Sequence, residues 1–250
     1  MSAHSKLASL PAQELIRWAI ATYGSSLAFT TSFQDEGMVI VDMAVRMSAS
    51  VRVITIDTGR LPEATHHMID TVRERYGIMV ETVFPDAGEV GEMVHRHGMN
   101  LFHHEAALRL LCCQVRKVRP LERKLQEFSA WVVGLRRSQS EARASLTNAD
   151  FVDGRLKLSP LADWSRGQVA DYIRTHNVPR HPLYAEGYTS IGCGPCTRAT
   201  GSGENERAGR WWWETDQAKE CGIHFTAEGR VRRRVDVLLE EVLQGNLKVA

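Results

Sequence analysis

Short apolar runs alternate with longer amphipathic stretches over the first half of the 250-residue chain, and this alternation limits the fold more than any other feature. The apolar runs predict four β-strands, at Leu27–Thr31, Val51–Ile56, Met79–Phe84 and Trp131–Leu135. The amphipathic stretches predict helices at Gln13–Tyr23, Gly37–Met47, Pro62–Tyr76 and Pro120–Phe128, with Pro62 and Pro120 in first helical turns. Such an alternation indicates an α/β fold with a doubly wound, mostly parallel sheet.

The alternation ends near Glu214, and the chain after it has a different character. The stretch Lys219–Arg234 holds a lone cysteine, two glycines and several arginines, and is predicted to be a mobile tail. Its basic side chains, Arg230 and Arg232–Arg234, are expected to be solvated, and a short helix is predicted near Val235–Leu243. We therefore expect an α/β domain over residues 1–215 and a C-terminal segment over residues 216–250.

Composition and charge argue against several classes of protein. The apolar fraction of 43% and the charged fraction of 24% are typical of a globular protein, and the net charge is +1. That charge gives no reason to expect nonspecific binding to nucleic acid or to a membrane surface. No secretory signal is recognisable, and no stretch approaches the roughly 20 apolar residues of a membrane helix. The expected location is the cytoplasm, with neither a nucleic-acid nor a membrane partner.

Polar loops follow three of the predicted strands, at the sheet edge where doubly wound folds bind ligands. Ser32 lies in a hydroxyl-rich turn after the first strand, Asp57 follows Ile56 after the second, and Gly134 opens the loop of the fourth. Hydroxyls, glycine amides and a helix N-terminus suit a ligand that carries phosphate. Each loop alone is more often a helix cap, so their common position carries the prediction of an anionic ligand.

Five cysteines favour ligands or a nucleophile over a disulfide framework in a reducing compartment. Cys193 and Cys196 form a C-x-x-C pair, which serves zinc, iron–sulfur and redox sites alike. Cys112 and Cys113 are adjacent, and neighbouring side chains on a helix diverge by roughly 100°. A broad 4Fe–4S cluster accepts that divergence more easily than one zinc ion, so the four are predicted cluster ligands. Structural zinc and simple burial of the thiols remain alternatives.

The fifth cysteine, Cys221, is a candidate nucleophile, and His224 lies three residues further on, where it would assist the thiol or contact an anion. Cations that suit an anionic substrate are also present, namely Lys117, Arg136, Arg137, Arg143, Arg207 and Arg210. Any one of these is more often a solvated surface residue. The run Trp211–Trp213 is most simply explained by packing.

Six motifs occur together in this chain. They are Asp57-Thr-Gly-Arg60, Cys112-Cys-x-x-x-Lys-x-x-Pro-Leu121, Gly134-x-Arg-Arg-x-Gln-Ser140, Gly192-Cys-Gly-Pro-Cys-Thr-Arg198, Glu206-Arg-Ala-Gly-Arg-Trp-Trp-Trp-Glu214 and Glu220-Cys-Gly-Ile-His224. Over about residues 25–225 the chain resembles the assimilatory adenylyl-sulfate (APS) reductases, the iron–sulfur branch of the APS/PAPS reductase family. Its first loop, Ser32–Glu36, departs from the Ser-Phe-Gly-Ala-Glu-Asp string common in related reductases, and the loop after Gly134 is one residue short.

The resemblance implies an adenine-nucleotide α-hydrolase-like fold and the reduction of APS to sulfite and AMP. It implies that Cys221 attacks the sulfate sulfur and becomes an S-sulfonate, from which reduced thioredoxin releases sulfite. The implied cations around the phosphosulfate are Lys117, Arg143, Arg207, Arg210 and His224. The implied nucleotide cradle contains Ser32, Ile56, Asp57 and Gly134. The implied 4Fe–4S ligands are Cys112, Cys113, Cys193 and Cys196.

Three other functions stay open beside this one. The nearest is reduction of PAPS, alone or together with APS, although PAPS-specific relatives usually lack the four cluster cysteines. An ATP-dependent thiolation enzyme would need a Ser-Gly-Gly-x-Asp-Ser type of pyrophosphate loop, which Thr31–Gly37 does not contain. A zinc-stabilised binding module without catalysis is the third. The oligomeric state is open, with a homo-oligomer as one option.

Overall fold

A six-stranded sheet forms the centre of the computed structural model, which describes residues 7, 9–214, 220 and 229–247. Its strands are β1 Leu27–Thr30, β2 Arg52–Ile56, β3 Val80–Val83, β4 Ala130–Val133, β5 Ala149–Val152 and β6 Arg155–Leu158. They lie in the order β3-β2-β1-β4-β6-β5, and all neighbours are parallel except β5 and β6. The predicted doubly wound, mostly parallel sheet is confirmed.

Helices connect and cover the strands. The described residues form α1 Ala12–Tyr23, α2 Asp35–Met47, α3 Glu63–Tyr76, α4 Ala87–His97, α5 Ala106–Cys113, α6 Arg119–Leu125, α7 Arg166–His176 and α8 Gly229–Leu247. A five-residue π-turn, Gln114–Val118, joins α5 to α6. The four predicted helices overlap α1, α2, α3 and α6, but Pro62 lies just before α3 instead of inside its first turn. No helix in the described part of the chain is both long and apolar enough to cross a membrane.

Both faces of the sheet are buried, which explains why β1 and β4 are almost entirely apolar. Phe29 and Val132 belong to a cluster that also contains buried residues of α1, α2, α3 and α7. Ala28 and Trp131, which alternate with them along the strands, belong to a second cluster with α6. The core is thus two layers, one on each side of the sheet.

The sheet reverses its winding between β1 and β4. The chain proceeds from β1 outward through β2 to β3, and then returns to place β4 on the other side of β1. Thr30, the last residue of β1, pairs with Ile54 of β2 and Val133 of β4, so the carboxyl ends of three strands are aligned. Doubly wound sheets bind ligands in the crevice that such a reversal opens.

Several elements were not predicted from the sequence. The strands β5 and β6 have four residues each, and the two central residues of β5 are exposed, so no apolar run marks them. The helices α4 and α7 were also missed, although each begins with a capping residue: Asp86 accepts a hydrogen bond from the Glu89 amide at 2.9 Å, and Ser165 accepts one from Gln168 at 3.1 Å.

The C-terminal segment corrects the sequence prediction in part. Residues 229–234, expected in a mobile tail, begin the 19-residue helix α8, which is longer than the predicted Val235–Leu243. Val235, Leu238 and Val242 are spaced three and four apart, so they form one apolar stripe and are buried against α4 and α5. Arg232 and Arg234 are exposed, as expected of solvated side chains. The remaining part of the predicted tail lies mostly outside the described residues, and the division at residues 215 and 216 stays a prediction.

Candidate active site

A cleft with a volume of about 170 Å³ opens at the carboxyl ends of β1, β2 and β4. Most of the residues that the sequence analysis selected line this one cleft: Ser32, Ile56, Cys113, Lys117, Gly134, Arg143, Cys193, Cys196, Arg207 and Arg210. Asp57 and Cys112 lie in adjacent segments but not on its wall. Cys221 and His224 lie outside the described residues. The fold therefore gathers residues from six separate motifs around a single space.

The loop after β1 has an unusual backbone. Phe33 is fully buried and has a φ of 57°, in the left-handed region that a bulky side chain rarely adopts. Its amide donates to Thr31 Oγ1 at 2.9 Å, which closes a tight turn before α2. Gln34 then accepts a hydrogen bond from the Ile191 amide at 2.8 Å, and its own amide group donates to Ser32 at 3.0 Å. The loop that departs from the family string is thus tied to the segment before Cys193.

Gly134 allows β4 to approach the start of α2. A Cβ atom built on Gly134 would lie 2.7 Å from the Gly37 nitrogen and 2.8 Å from the carbonyl carbon of Glu36. Backbone atoms cannot move aside as a flexible side chain does, so a larger residue would push the cleft apart. This close contact gives Gly134 a structural role in shaping the wall of the cleft.

The loop after β2 connects the two cysteine pairs. Thr58 Oγ1 lies 3.2 Å from Cys193 Sγ, and the Thr58 carbonyl accepts a hydrogen bond from Arg116 at 2.9 Å. Arg60 contributes its carbonyl, which accepts from the Gly194 amide at 2.8 Å. The Asp57 carboxylate bonds within its own loop and to the helix that follows. It accepts a hydrogen bond from the Gly59 amide at 2.8 Å and pairs with His66 at 3.1 Å. Asp57 is therefore a residue that shapes this loop, beside the cleft.

Two arginines of the cleft hold an acidic residue. Glu220 is buried and receives two bonds from Arg143, at 3.0 and 2.9 Å, and one from Arg207 at 3.2 Å. Ser140 donates to the same carboxylate at 3.1 Å. Burial opposes ionisation of Glu220, but the two arginines outweigh it and hold the pKa of that carboxyl below its ordinary value. No role for Glu220 was predicted from the sequence, although its position next to Cys221 could have suggested one.

Two other cations have unused hydrogen-bonding capacity. Among the described residues no group pairs with the half-buried Lys117 ammonium, which faces the cleft from the π-turn. Arg210 is buried, and its Nε atom has no partner within the described part of the chain. Its Nη1 atom makes only long contacts, 3.3 Å to the Ile191 carbonyl and 3.5 Å to Ser190. A buried donor without a partner costs free energy, so both groups favour the binding of an anion.

A further arginine, Arg136, is fully neutralised. It is 1% exposed and binds Glu36 at 2.7 Å, Glu206 at 2.9 and 3.0 Å, and Ser138 at 2.6 Å. Burial raises the pKa of Glu206 above its ordinary value, in spite of the opposing effect of Arg136. Glu36 and Glu206 line the cleft, so this network forms part of its wall. Unlike Lys117 and Arg210, its charged groups are paired with one another.

The four cysteines of the predicted cluster site come together from two segments. Cys112 and Cys113 end α5, whereas Cys193 and Cys196 flank a single 3₁₀ turn, and all four belong to one apolar cluster. Within the described part of the chain, none of the four forms a disulfide bond. Burial raises the pKa of Cys112 to about 11 and that of Cys196 to about 12, and Cys193 adds to both shifts. Their common apolar cluster places the two pairs close to each other.

The donor set of this cysteine group suits an iron–sulfur cluster. Four thiols from two short segments are the ligands that a 4Fe–4S cluster takes, and the nearby guanidiniums of Arg60, Arg116 and Arg210 favour an anionic group there. In the described part of the chain no three His, Cys, Asp or Glu side chains are already drawn into the geometry of a metal site. The chemistry of the donors fits, and the side chains would have to turn toward the bound group.

Comparison with known proteins identifies the class to which this fold belongs. The solved FMN adenylyltransferase from Candida glabrata, in complex with FAD and inorganic pyrophosphate, has a TM-score of 0.52 at 14% identity, over 95% of this chain and 88% of that one. The NH3-dependent NAD synthetase from Campylobacter jejuni has a TM-score of 0.50 at 10% identity, over 98% and 96%. At such identities the likeness concerns the fold alone, which is adenine-nucleotide α-hydrolase-like.

The chain belongs to the phosphoadenosine phosphosulfate reductase domain family, whose model matches residues 26–199. A solved phosphoadenylyl-sulfate (PAPS) reductase from Candida auris has a TM-score of 0.65 at 30% identity, over 77% of this chain and 92% of that one. Adenosine 5′-phosphosulfate reductases from Allochromatium vinosum and Burkholderia cepacia are 46% and 45% identical to the chain. These alignments cover 80% and 79% of this chain and 78% and 80% of the two relatives.

Proposed function

We propose that the protein reduces adenylyl sulfate (APS) to sulfite and AMP in sulfate assimilation. The observation that carries the proposal is the group of four cations, Lys117, Arg143, Arg207 and Arg210, on the wall of one cleft at the switch point of the sheet. A phosphosulfate is a mixed anhydride that joins a phosphate to a sulfate, and cations are needed to balance the negative charge of both groups. The relatives that are 40–46% identical are named for the reduction of this nucleotide.

The first step is a substitution at the sulfate sulfur. The thiolate of Cys221 forms a bond to that sulfur, and the bond between the sulfur and the bridging phosphate oxygen breaks. AMP leaves with the electron pair, and Cys221 becomes an S-sulfonate. Negative charge grows on the phosphate and sulfonate oxygens, so preorganised cations such as Lys117 and Arg210 would supply a large part of the rate enhancement.

One described residue, Glu220, supports a role for the segment that carries Cys221. Glu220, directly before it in the chain, has its carboxylate on Arg143 and Arg207 and its carbonyl on Arg109 Nη1 at 2.8 Å. Glu220 also lines the cleft, so the residue that precedes Cys221 in the sequence lies on its wall. Cys221 and His224 themselves keep the status of proposed catalytic residues.

The second step returns the enzyme to its starting state. A thiolate of reduced thioredoxin attacks the sulfur of Cys221, the bond to the sulfonate breaks, and sulfite leaves with the electron pair. The second thiol of thioredoxin then resolves the mixed disulfide and frees the Cys221 thiol. Two electrons pass from the dithiol to the sulfur, as the change from sulfate to sulfite requires.

We propose Cys112, Cys113, Cys193 and Cys196 as the ligands of a 4Fe–4S cluster. When bound, such a cluster would place a charged group beside Lys117, which follows Cys113 by four positions on the π-turn. The helical turn between Cys113 and Lys117 would then hold the Lys117 side chain toward the substrate. Measurement of iron and labile sulfide in the purified protein, with zinc as the comparison, tests the assignment; stoichiometric zinc and a colourless protein would overturn it.

Release of sulfite from APS and from PAPS, measured side by side with thioredoxin as the reductant, tests the proposed function. We expect APS to be used more efficiently. Equal or greater efficiency with PAPS would favour the alternative that the name of the Candida auris structure suggests. Incubation with APS alone should add one sulfonate to Cys221, detectable by mass spectrometry, and Cys221→Ser should abolish both the adduct and turnover. Turnover by that variant would remove Cys221 from the mechanism.

A cytoplasmic location completes the proposal, since reduced thioredoxin and free thiols both require a reducing compartment. Cell fractionation with an antibody to the protein tests it, and recovery in an oxidising compartment would contradict it. Light scattering during gel filtration distinguishes a homo-oligomer from a monomer.

A further inference from the structure

Trp211 occupies an unusual position beside the cleft. Its side chain is 1% exposed, and its φ of 43° lies in the left-handed region. Its amide donates to the Cys196 carbonyl at 3.1 Å, and the preceding residue, Arg210, forms an isolated β-bridge with Thr197. The backbone of Trp211 is therefore held by the segment that contains Cys196 and Thr197.

Three guanidinium groups surround this indole ring. The guanidinium carbon of Arg109 lies 4.4 Å from the ring centroid, that of Arg210 lies 4.6 Å away, and that of Arg207 lies 5.9 Å away. All are within the distance at which a cation is attracted to the face of an aromatic ring, and tryptophan attracts cations more strongly than phenylalanine does. Because the ring is buried, the attraction is not weakened by water.

These arginines act on two parts of the site. Arg210 lies on the wall of the cleft, with its guanidinium pressed against Gly192: a Cβ atom on that glycine would lie 2.4 Å from Nη2. Arg109 donates to the Glu220 carbonyl at 2.8 Å and pairs with Glu214 at 2.7 Å. Arg207 reaches the Glu220 carboxylate. One ring thus contacts a cation that faces the ligand space and two that hold Glu220.

Few other contacts fix the direction of the Arg210 guanidinium. Its hydrogen bonds are long, and within the described part of the chain neither its Nε atom nor the Trp211 Nε1 atom has a partner. Stacking on Trp211 and the close approach of Gly192 are therefore the main restraints on this group. A ligand oxyanion would supply the missing acceptor for its N–H groups.

We propose that Trp211 is a positioning residue for the reduction: its ring aligns Arg210 with the oxyanion of the bound nucleotide and Arg109 with the segment that carries Cys221. The inference rests on the proposed function, because the oxyanion is that of the phosphosulfate. Trp211 does not itself touch the reacting atoms. Simple core packing, the interpretation that the sequence favours, would need the volume of the ring but not its charge distribution.

Fluorination of the ring separates these two roles, because it weakens the attraction for cations with little change in size. Trp211 is replaced in the holoenzyme by mono-, di- and trifluorotryptophan, incorporated at that position alone. We expect kcat/KM for APS to fall stepwise, to about a tenth with the trifluorinated ring, while the melting temperature stays nearly constant. Trp211→Phe should lie between the wild type and Trp211→Leu in kcat/KM.

The matched control is the same series at Trp212, whose ring is 42% exposed and has an edge contact with Trp213. It should leave kcat/KM unchanged. A flat series at Trp211 in an enzyme that releases sulfite, or an equal decline at Trp212, would overturn the positioning role and leave the proposed function intact. Failure of the unmodified enzyme to release sulfite from APS would instead overturn the proposed function, and the inference with it.

Discussion

Two groups of cations at the cleft differ in how far their charges are satisfied. In the saturated network, Arg136 has its guanidinium bound to two carboxylates and a hydroxyl, all within 3.0 Å. The unsatisfied cations, Lys117 and Arg210, have few or no partners in the described part of the chain. A saturated network has no donor or acceptor free for a ligand. Unsatisfied buried donors gain hydrogen bonds when a ligand binds. The comparison separates residues that build the cleft from those that bind in it.

Arg136→Met, which disrupts the saturated network, is the change with the largest expected effect. It would leave the buried Glu36 and the half-buried Glu206 without their cation, and breaking a buried pair in this way costs about 3–5 kcal/mol. Urea denaturation should show that loss, and Arg174→Met, which removes an exposed pair with Asp171, should cost less than about 1 kcal/mol. Equal losses in the two variants would show that the Arg136 network is not a structural core.

Lys117→Ala tests the unsatisfied cations. The ammonium has no partner among the described residues, so stability should change by less than about 1 kcal/mol, whereas kcat/KM for APS should fall about 10²–10³-fold. Lys124→Ala, which removes surface pairs with Glu81 and Glu127, serves as the control and should retain activity. A normal rate with Lys117→Ala would place the ligand elsewhere in the cleft.

Glu220→Gln tests an intermediate case, since Arg143 and Arg207 are paired in this structure yet line the cleft. The native pKa of Glu220 is lowered, so its charge stabilises the fold above its ordinary pKa, and the stabilisation is lost as the pH falls through the lowered value. At pH 7 the variant should be less stable by about 1.5–3 kcal/mol. The difference should shrink below about pH 4.5, the ordinary glutamate value.

Denaturation curves at a series of pH values measure this effect. A difference in stability that does not depend on pH would mean that Glu220 acts through packing. If Arg143 and Arg207 also bind the substrate, the variant should bind AMP with altered affinity, because Glu220 no longer offsets their positive charge.

Gly192→Ala has the smallest expected effect. The added methyl group would meet the Arg210 guanidinium, so that side chain must shift, and KM for APS should rise about tenfold with little change in stability. Gly91→Ala is the control, since an added Cβ there meets nothing within 4 Å. An unchanged KM in Gly192→Ala would show that the position of Arg210 is not critical.

The sequence predicted the sheet and the residues that line the cleft far better than the ion pairs among those residues. Apolar runs such as the one in β4 are visible because a strand covered on both faces is apolar throughout. β5 was not visible, since its central residues face solvent. The motifs indicated which side chains belong to the site, because each follows a strand end or forms part of a resemblance.

The distinction between saturated and unsatisfied cations could not be predicted. Arg136 meets Glu36 across 100 positions of sequence and Glu206 across 70, and no local pattern specifies such pairs. The same holds for Trp211, which was interpreted as packing because a run of tryptophans carries no sign of the guanidiniums around it. Partners that are distant in sequence become visible only when the fold brings them together.

The left-handed backbone of Phe33 and Trp211 has a consequence for engineering. Two buried aromatic residues adopt this conformation, one in the loop after β1 and the other next to Arg210. Each costs on the order of 1–3 kcal/mol that the surrounding packing must offset. Replacement of either side chain would relieve that strain but would remove buried packing worth about 3–5 kcal/mol, so neither position offers a route to higher stability. Thermostabilisation is better directed to surfaces remote from the cleft.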